Sequence, residues 1–151
     1  MNAEALLDSN VVIAMLAEDH EHHAASLALL VGRRRADYAI AAHSYAEVYS
    51  TLTRLGERAP FRFTASEAWA ALQSVRAATD LVGLTPAQTF DVVRRYAEVG
   101  GVGARLYDRL IGEAASAHGI GCIVTWNTRH MRSLFPALKV VTPMQLQQAA
   151  T

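Results

Sequence analysis

Short apolar segments alternate with longer helical patterns along almost the whole chain, and this alternation limits the possible folds more than any other feature. Segments that are apolar throughout, without polar residues at every second position, are typical of parallel strands buried on both faces. The sequence therefore predicts a three-layer α/β/α fold with a central, mostly parallel sheet of four to five short strands. The predicted strands are residues 3–7, 38–42, 81–82, 120–125 and 139–141.

The intervening segments carry signals for helix starts and ends. Thr64 with Glu67, and Thr85 with Pro86 and Gln88, are typical of capped helix starts, and Ser44 is a candidate for another. Glycines at 100–101 and 119 predict two helix ends. The expected helices are residues 10–17, 21–35, 44–55, 64–77, 85–99, 104–118 and 144–149, with a loop at 56–63.

The length and composition indicate one globular domain over residues 1–151, with 52% hydrophobic and 19% charged residues. No apolar run approaches the ~20 residues of a membrane span, and the start lacks the features of a secretory signal. Cys122 is the only cysteine, so no internal disulfide can form, and we expect a reducing cytoplasm without membrane association.

The charges balance at fourteen basic and fourteen acidic residues, so the net charge does not indicate a nucleic-acid partner. All the basic residues except Lys139 are arginine, which suits bidentate contacts to phosphate but also follows from a bias in residue usage. RNA binding would depend on local arginines, and the candidates are Arg54, Arg58, Arg62, Arg105, Arg109, Arg129 and Arg132.

Four polar residues are expected at one edge of the sheet. Asp8 and Asn127 follow predicted strands, Glu47 lies early in the helix after the second strand, and Asp108 lies near the start of the helix at 104–118. Function in an open α/β sheet gathers at the carboxyl ends of the strands. Carboxylates that meet there repel one another unless a cation neutralises them, and Mg²⁺ prefers such oxygen ligands.

Each of these acids also has a purely structural interpretation. Asp8 can cap the helix that follows it, and Glu47 can complete a capping box with Ser44 on the solvent side of its helix. Asp108 lies at the margin of the apolar stripe of its helix, where many side chains are simply exposed. Glu113 lies at the opposite margin and is expected to remain outside the cluster.

A run of histidines and a run of arginines are two further clusters, and neither matches the pattern of a known binding site. The run His20-Glu21-His22-His23 is not the zinc pattern His-Glu-x-x-His, because Ala24 occupies the place of the second histidine. We interpret it as the polar start of a helix. Arg33, Arg34 and Arg35 could contact phosphate, but we interpret them as the basic last turn of that helix, where they would interact favourably with the negative end of its dipole.

The order and spacing of several segments, covering nearly the whole chain, resemble the PIN-domain ribonucleases, and specifically the VapC-type toxins of bacterial toxin–antitoxin pairs. The segments are Leu7-Asp8-Ser9-Asn10-Val11, Ser44-Tyr45-Ala46-Glu47-Val48, Leu52-Thr53-Arg54-Leu55, Tyr107-Asp108-Arg109-Leu110-Ile111 with Ala114-Ala115, and Val124-Thr125-Trp126-Asn127 with His130-Met131.

This resemblance implies a PIN-like fold and an endoribonuclease that depends on Mg²⁺, with Mn²⁺ as a substitute. Asp8 and Asp108 would hold the metal, and Glu47 would orient water or accept its proton. Asn127 stands where many members carry a fourth acid, and this loss of an acid argues against a mechanism with two metal ions. Its carbonyl oxygen can still bind water or metal. His130 would position RNA or transfer a proton, or else is a surface residue at a helix start.

The resemblance also implies partners: an RNA substrate, a homodimer and a cognate antitoxin laid over the acidic pocket. Trp69, Tyr45, Tyr49 and Phe90 are candidates for such contacts, but we expect most of them in the core.

Rival enzyme classes fit less well. A haloacid-dehalogenase-type phosphatase needs an acid where Asn10 stands, and a receiver domain needs an acidic pair before Asp8 and a lysine after a late strand. The main alternative is a PIN-like domain without nuclease activity that binds RNA or a protein partner.

Overall fold

The five strands form one parallel sheet in the order β3-β2-β1-β4-β5, so the chain starts at the centre of the sheet and builds outwards. The computed structural model describes residues 3–34 and 37–149. Leu6 of the central strand is paired with Ala39 on one side and with Ile123 on the other. The strands are Ala5–Leu7 (β1), Tyr38–Ala41 (β2), Asp80–Val82 (β3), Cys122–Val124 (β4) and Lys139–Val141 (β5).

Helices cover both faces of this sheet, which confirms the three-layer α/β/α prediction. They are Ser9–Leu16 (α1), His23–Leu27 (α2), Ala42–Leu52 (α3), Ala65–Ala78 (α4), Pro86–Glu98 (α5), Arg105–Ala117 (α6), Thr128–Leu134 (α7) and Pro143–Ala149 (α8). None of the helices within the described ranges is both long and apolar enough to cross a membrane.

Alternation of side chains along the short strands divides the core in two. Leu7, Ile40 and Val124 point to one face and pack with buried residues of α1, α3 and α4. Leu6 and Ile123 point to the other face, where α6 and α7 supply Ile111, Ala114 and Met131. Because both faces are buried, every strand residue in the three central strands is apolar.

Local signals placed several helix ends correctly. Both predicted capping boxes are present, with Thr64 bonded to Glu67 and Thr85 bonded to Gln88. Gly100 and Gly119 adopt φ angles of 75° and 67°, which end α5 and α6 as expected, because L side chains rarely adopt this conformation.

The prediction of one helix over residues 21–35 is wrong. α2 ends at Leu27, a short 3-10 helix covers Ala28–Leu30, and Gly32 then turns the chain with a φ of 69°. Arg33 and Arg34 therefore do not lie in a last helical turn, and the helix-dipole interpretation is wrong for them. They pair instead with Glu4 and Asp37 at 3.5 and 3.4 Å, while Arg35 lies outside the described residues.

The expectation that the aromatic residues are mainly core is wrong for two of the four. Trp69 is 59% exposed and Phe90 is 76% exposed, because each points away from the buried stripe of its amphipathic helix. Tyr45 and Tyr49 are partly buried and pack against the core.

Helices α6 and α7 approach each other closely at Gly112. A Cβ atom added there would lie 2.1 Å from the ring of Phe135, so a larger residue requires this ring to move. The starts of α6 and α7 also meet, at Asp108 and His130.

Candidate functional site

Asp8 is buried directly after β1 and is held by two hydrogen bonds. Its Oδ1 accepts from the Ser9 backbone N–H at 2.7 Å, and its Oδ2 accepts from the Thr125 hydroxyl at 2.8 Å. Asp8 is therefore the N-cap of α1, as the structural interpretation expected. The cap uses only one carboxylate oxygen, so capping does not account for the burial of the whole group.

Glu47 lies in the second turn of α3, and the capping-box interpretation of this residue is wrong. α3 begins at Ala42 directly after β2, Ala41 is its N-cap without a side-chain bond, and Ser44 is buried inside the helix. Glu47 Oε1 is buried and has no hydrogen-bond partner among the described residues. The nearest basic group is His43 Nε2, at 3.4 Å one turn earlier.

Asp108 lies in the first turn of α6, at the margin of its buried face. Its Oδ2 is 3.1 Å from His130 Nε2 of α7, whose side chain is mostly buried. The interpretation of His130 as a surface residue at a helix start is therefore wrong, because the close packing of α6 on α7 covers it. Charges on His130 and Arg105 both lower the pKa of Asp108, although burial raises it overall.

The three carboxylates share one electrostatic environment. Burial raises the pKa of Asp8 to about 6, and repulsion from Asp108 adds to the shift despite the Thr125 hydrogen bond. Burial raises the pKa of Glu47 to about 7, and repulsion from both Asp8 and Asp108 adds to it. The structure thus brings together the three acids that were predicted from well-separated parts of the chain.

Asn127 lies beside Asp8 through a shared neighbour. Its backbone N–H donates to the Thr125 hydroxyl at 3.0 Å, and its side chain is exposed at the N-cap of α7 without capping the helix. Asn10 Nδ2 also donates to the Thr125 hydroxyl, at 3.0 Å. Thr125 therefore connects Asp8 to two polar residues at this edge of the sheet.

The donor set suits a hard divalent cation. Oxygen is the ligand that Mg²⁺ prefers, and it is commonly bound by one or two carboxylates with water completing the shell. The buried Glu47 Oε1 and the mutual repulsion of the acids are both relieved by a cation or by protonation. Within residues 3–34 and 37–149, no three His, Cys, Asp or Glu side chains are arranged to hold a metal ion together.

The other predicted clusters lie in different settings. Glu113 forms an ion pair with Arg95 at 3.0 Å, away from the acids. Among the arginine candidates, Arg105 interacts with Asp108, whereas Arg132 donates twice to the Val140 carbonyl and Arg109 lies over the Phe135 ring. The predicted helix start at Glu21 is wrong by two residues, because α2 begins at His23 with His22 as its N-cap.

Sequence reasoning assigned no role to Thr125, Asn10 or His43, although all three contact or adjoin the acids. Thr125 is the first residue after β4, and its position at a strand end beside Asn127 is the signal that could have identified it. His43 carries no comparable signal, because only the early start of α3 places it one turn before Glu47.

Several solved structures share this fold. A VapC20 toxin from Mycobacterium tuberculosis that cleaves the sarcin–ricin loop has 12% identity and a TM-score of 0.67, covering 85% of this chain and 94% of that one. PAE2754 from Pyrobaculum aerophilum has 22% identity and a TM-score of 0.63 over all of both chains. The DNA-bound VapBC complex from Salmonella typhimurium has 18% identity and a TM-score of 0.64, covering 93% and 98%.

At these identities the structural likeness shows the fold alone, and no curated protein gives a significant sequence match. The family model of the PIN domain, however, matches residues 5–133, which is most of the chain and includes every candidate site residue. Together with the parallel sheet and the acids at its carboxyl edge, this match shows that the chain belongs to the PIN domain family.

Proposed function

We propose that this protein is a Mg²⁺-dependent endoribonuclease and the toxin of a toxin–antitoxin pair. The observation that carries the proposal is the grouping of Asp8, Glu47 and Asp108 at the sheet edge where α/β proteins bind ligands. In addition to burial, Asp108 raises the pKa of Asp8, and Asp8 and Asp108 both raise the pKa of Glu47. Raised carboxylate pKa values of this kind are typical of functional sites. Family membership and neighbours that include a toxin described as cleaving RNA support the same reaction.

Asp8 and Asp108 would hold Mg²⁺, or Mn²⁺ in its place, and the Asn127 carbonyl would contribute directly or through water. When bound, the metal supplies charge neutralisation at the phosphate and a lower pKa for water. The Thr125 hydrogen bond fixes the orientation of the Asp8 carboxylate, so that less reorganisation is needed when the substrate arrives.

Glu47 is the candidate for the general base, because a pKa of about 7 suits proton transfer near neutral pH. It would orient a water molecule and take its proton while the water oxygen forms a bond to phosphorus. The bond from phosphorus to the 3′ oxygen breaks in line, and that oxygen takes up a proton. The products are a 5′-phosphate and a 3′-hydroxyl.

The decisive test is Asp8→Asn, which keeps a residue that can cap α1 and removes only the charge. We expect RNA cleavage to fall at least about a hundredfold, as for loss of a central catalytic group, while the far-UV circular dichroism spectrum is unchanged. Asp91→Asn is the matched control, because Asp91 is an exposed carboxylate paired with Arg94 and Arg95. Its cleavage rate should equal that of the wild type.

The same samples separate the nuclease from a PIN-like domain that only binds RNA or a partner, an alternative favoured by Asn127 in place of a fourth acid. A nuclease cuts mixed RNA in Mg²⁺ and stops in chelator, and calorimetry should show Mn²⁺ binding that Asp8→Asn abolishes. Full cleavage in chelator, or by Asp8→Asn, would contradict the proposed mechanism.

The proposed antitoxin partner is supported by an apolar groove on α3, α4 and β3. The groove has a volume of about 670 Å³, and the residues that line it include Ala42, Tyr45, Trp69, Leu72 and Leu81. Exposed apolar surfaces of this kind are typical of protein contacts. VapBC and FitAB complexes among the structural neighbours support an antitoxin. Co-purification with the product of a short adjacent reading frame tests the pairing, and sedimentation tests the proposed homodimer.

A further inference from the structure

The histidine run at 20–23 contains a ring stack that the proposed chemistry does not use. The His22 ring lies parallel to the Trp126 indole, with centroids 3.8 Å apart and an interplanar angle of 11°. His20 lies beside this pair at 5.7 Å, tilted by 40°. The run thus forms an aromatic cluster with a residue from the far end of the chain.

Trp126 is a rigid platform fixed at the acidic site. Its backbone N–H donates to Asn10 Oδ1 at 3.1 Å, and its indole Nε1–H donates to the hydroxyl of Ser26, a fully buried residue of α2, at 2.9 Å. Trp126 directly follows Thr125, whose hydroxyl binds Asp8. The ring stack is thus connected, through the Trp126 backbone and Thr125, to the edge of the sheet where Asp8 lies.

His22 is the outer ring of this stack. Its side chain remains 38% exposed although one face covers Trp126, so part of the ring is open to solvent. A ring bound there would extend an existing stack of two. Nucleobases of unpaired strands stack on aromatic side chains, including histidine, whereas bases in a duplex are already stacked on one another.

The surrounding charges favour a base over a phosphate at this position. Glu21 Oε1 lies 3.6 Å from His22 Nε2, and Glu18 and Asp19 are exposed on the same connection between α1 and α2. These carboxylates repel a phosphate group but not an uncharged nucleobase. The chemistry of the cluster thus points to the base of a nucleotide whose backbone runs past the acids.

We propose that His22, supported by Trp126, is a stacking site for an unpaired nucleobase of the RNA substrate, next to the cleaved bond. This inference rests on the proposed function for its substrate, but it makes a separate claim about binding. It predicts that the protein prefers single-stranded over double-stranded RNA at the cutting site.

Binding can be measured without cleavage through Trp126 itself. The chain has two tryptophans, so Trp69→Phe leaves Trp126 as the only one. A six-nucleotide uridylate strand titrated in chelator should quench its fluorescence. In this background we expect His22→Ala to weaken binding roughly tenfold, as for the loss of one base stack. His22→Phe, which keeps a flat ring, should retain affinity.

The matched control is His118→Ala, which removes an exposed histidine near Gly83 on another part of the surface and should leave affinity unchanged. An abasic strand with the same phosphates should bind His22→Ala and the parent equally well. The proposal is overturned if His22→Ala binds the uridylate strand like its parent, if His22→Phe is as weak as His22→Ala, or if the abasic strand shows the same tenfold loss.

The two proposals can fail independently. If the tests show no base stacking on His22 while metal-dependent cleavage is intact, only the proposal of a stacking site is contradicted. Normal stacking in a protein that never cleaves RNA would remove only the nuclease, leaving a strand-binding domain.

Discussion

Asp8 is buried and Glu47 is half-buried, and the protein holds these two acids of one cluster very differently. Asp8 accepts hydrogen bonds from Ser9 and from Thr125, which favour its charged form and partly offset the effect of burial. Glu47 Oε1 has no hydrogen-bond partner in the described part of the chain, and nothing offsets the effects of burial and repulsion on its pKa.

The difference separates two ways of building a polar site. Asp8 is preorganised by the fold and is expected to keep one orientation through the reaction. Glu47 carries an unsatisfied group, which costs stability in the free protein and is relieved when a proton, a water or a cation reaches it. Such a group is suited to exchanging protons, whereas a firmly bonded carboxylate is suited to holding a ligand.

The largest effect is expected for Thr125→Val, which removes the hydroxyl that holds Asp8. The variant should lose at least about 2 kcal/mol of unfolding free energy, because a buried carboxylate loses a charge-assisted bond and the Asn10 and Asn127 donors lose their acceptor. The pKa of Asp8 should rise further above about 6. Urea unfolding measures the first effect, and NMR titration of the carboxyl carbon measures the second.

Thr79→Val is the matched control, since Thr79 is equally buried but bonds only to the neutral Val75 carbonyl. It should lose about 1 kcal/mol. If both variants lose the same amount and the Asp8 titration does not move, Asp8 is not held as described.

A smaller effect of opposite sign is expected for Glu47→Gln in chelator. The pKa of Glu47 is raised from 4.5 to about 7 on folding, so the folded protein binds this proton more tightly than the unfolded chain. Stability from this group is therefore present below pH 4.5 and is lost as the pH rises through 7. The variant should be more stable than the wild type by about 1–2 kcal/mol at pH 8, allowing for partial exposure, and nearly equal at pH 4.5.

Unfolding of Glu113→Gln provides the comparison, because Glu113 is paired with Arg95 and should show no gain at pH 8. A Glu47→Gln variant that is destabilised at pH 8 would mean that Glu47 has a favourable partner there, which contradicts the contrast with Asp8.

The smallest effect is expected for His43→Asn. Burial lowers the pKa of His43, so its ring is uncharged near neutral pH and does not act as a cationic partner for Glu47. The titration midpoint of Glu47 should move by less than about half a pH unit, equivalent to less than about 0.7 kcal/mol. NMR titration of the Glu47 carboxyl carbon measures this midpoint. A midpoint that is a full pH unit higher in the variant than in the wild type would show a charged histidine instead.

Sequence patterns predicted those parts of the molecule that depend on neighbours along the chain. Thr64 and Thr85 start helices as expected because each capping box is complete within four residues. The alternation of buried segments and helices likewise predicted the sheet, because a strand that is buried on both faces is apolar at every position.

The same local reasoning misassigned Glu47. Ser44 and Glu47 have capping-box spacing, but α3 starts at Ala42 because β2 passes into it without a loop. β2 is paired with β1 and β3 up to Ala41, so the helix begins at the next residue. This pairing cannot be recognised from the residues near Ser44. The bond between Asp8 and Thr125 joins residues 117 positions apart, so spacing alone could not predict it.

The close contact between Phe135 and Gly112 has a consequence for substitutions at position 112. Asp108 lies one helical turn before Gly112, and His130 lies about one turn before Phe135, so the two contacts between these segments are about one turn apart. A side chain at 112 would displace the Phe135 ring, and the two segments separate unless the ring turns aside. A position with no functional group of its own is thereby linked by packing to the neighbourhood of the acids.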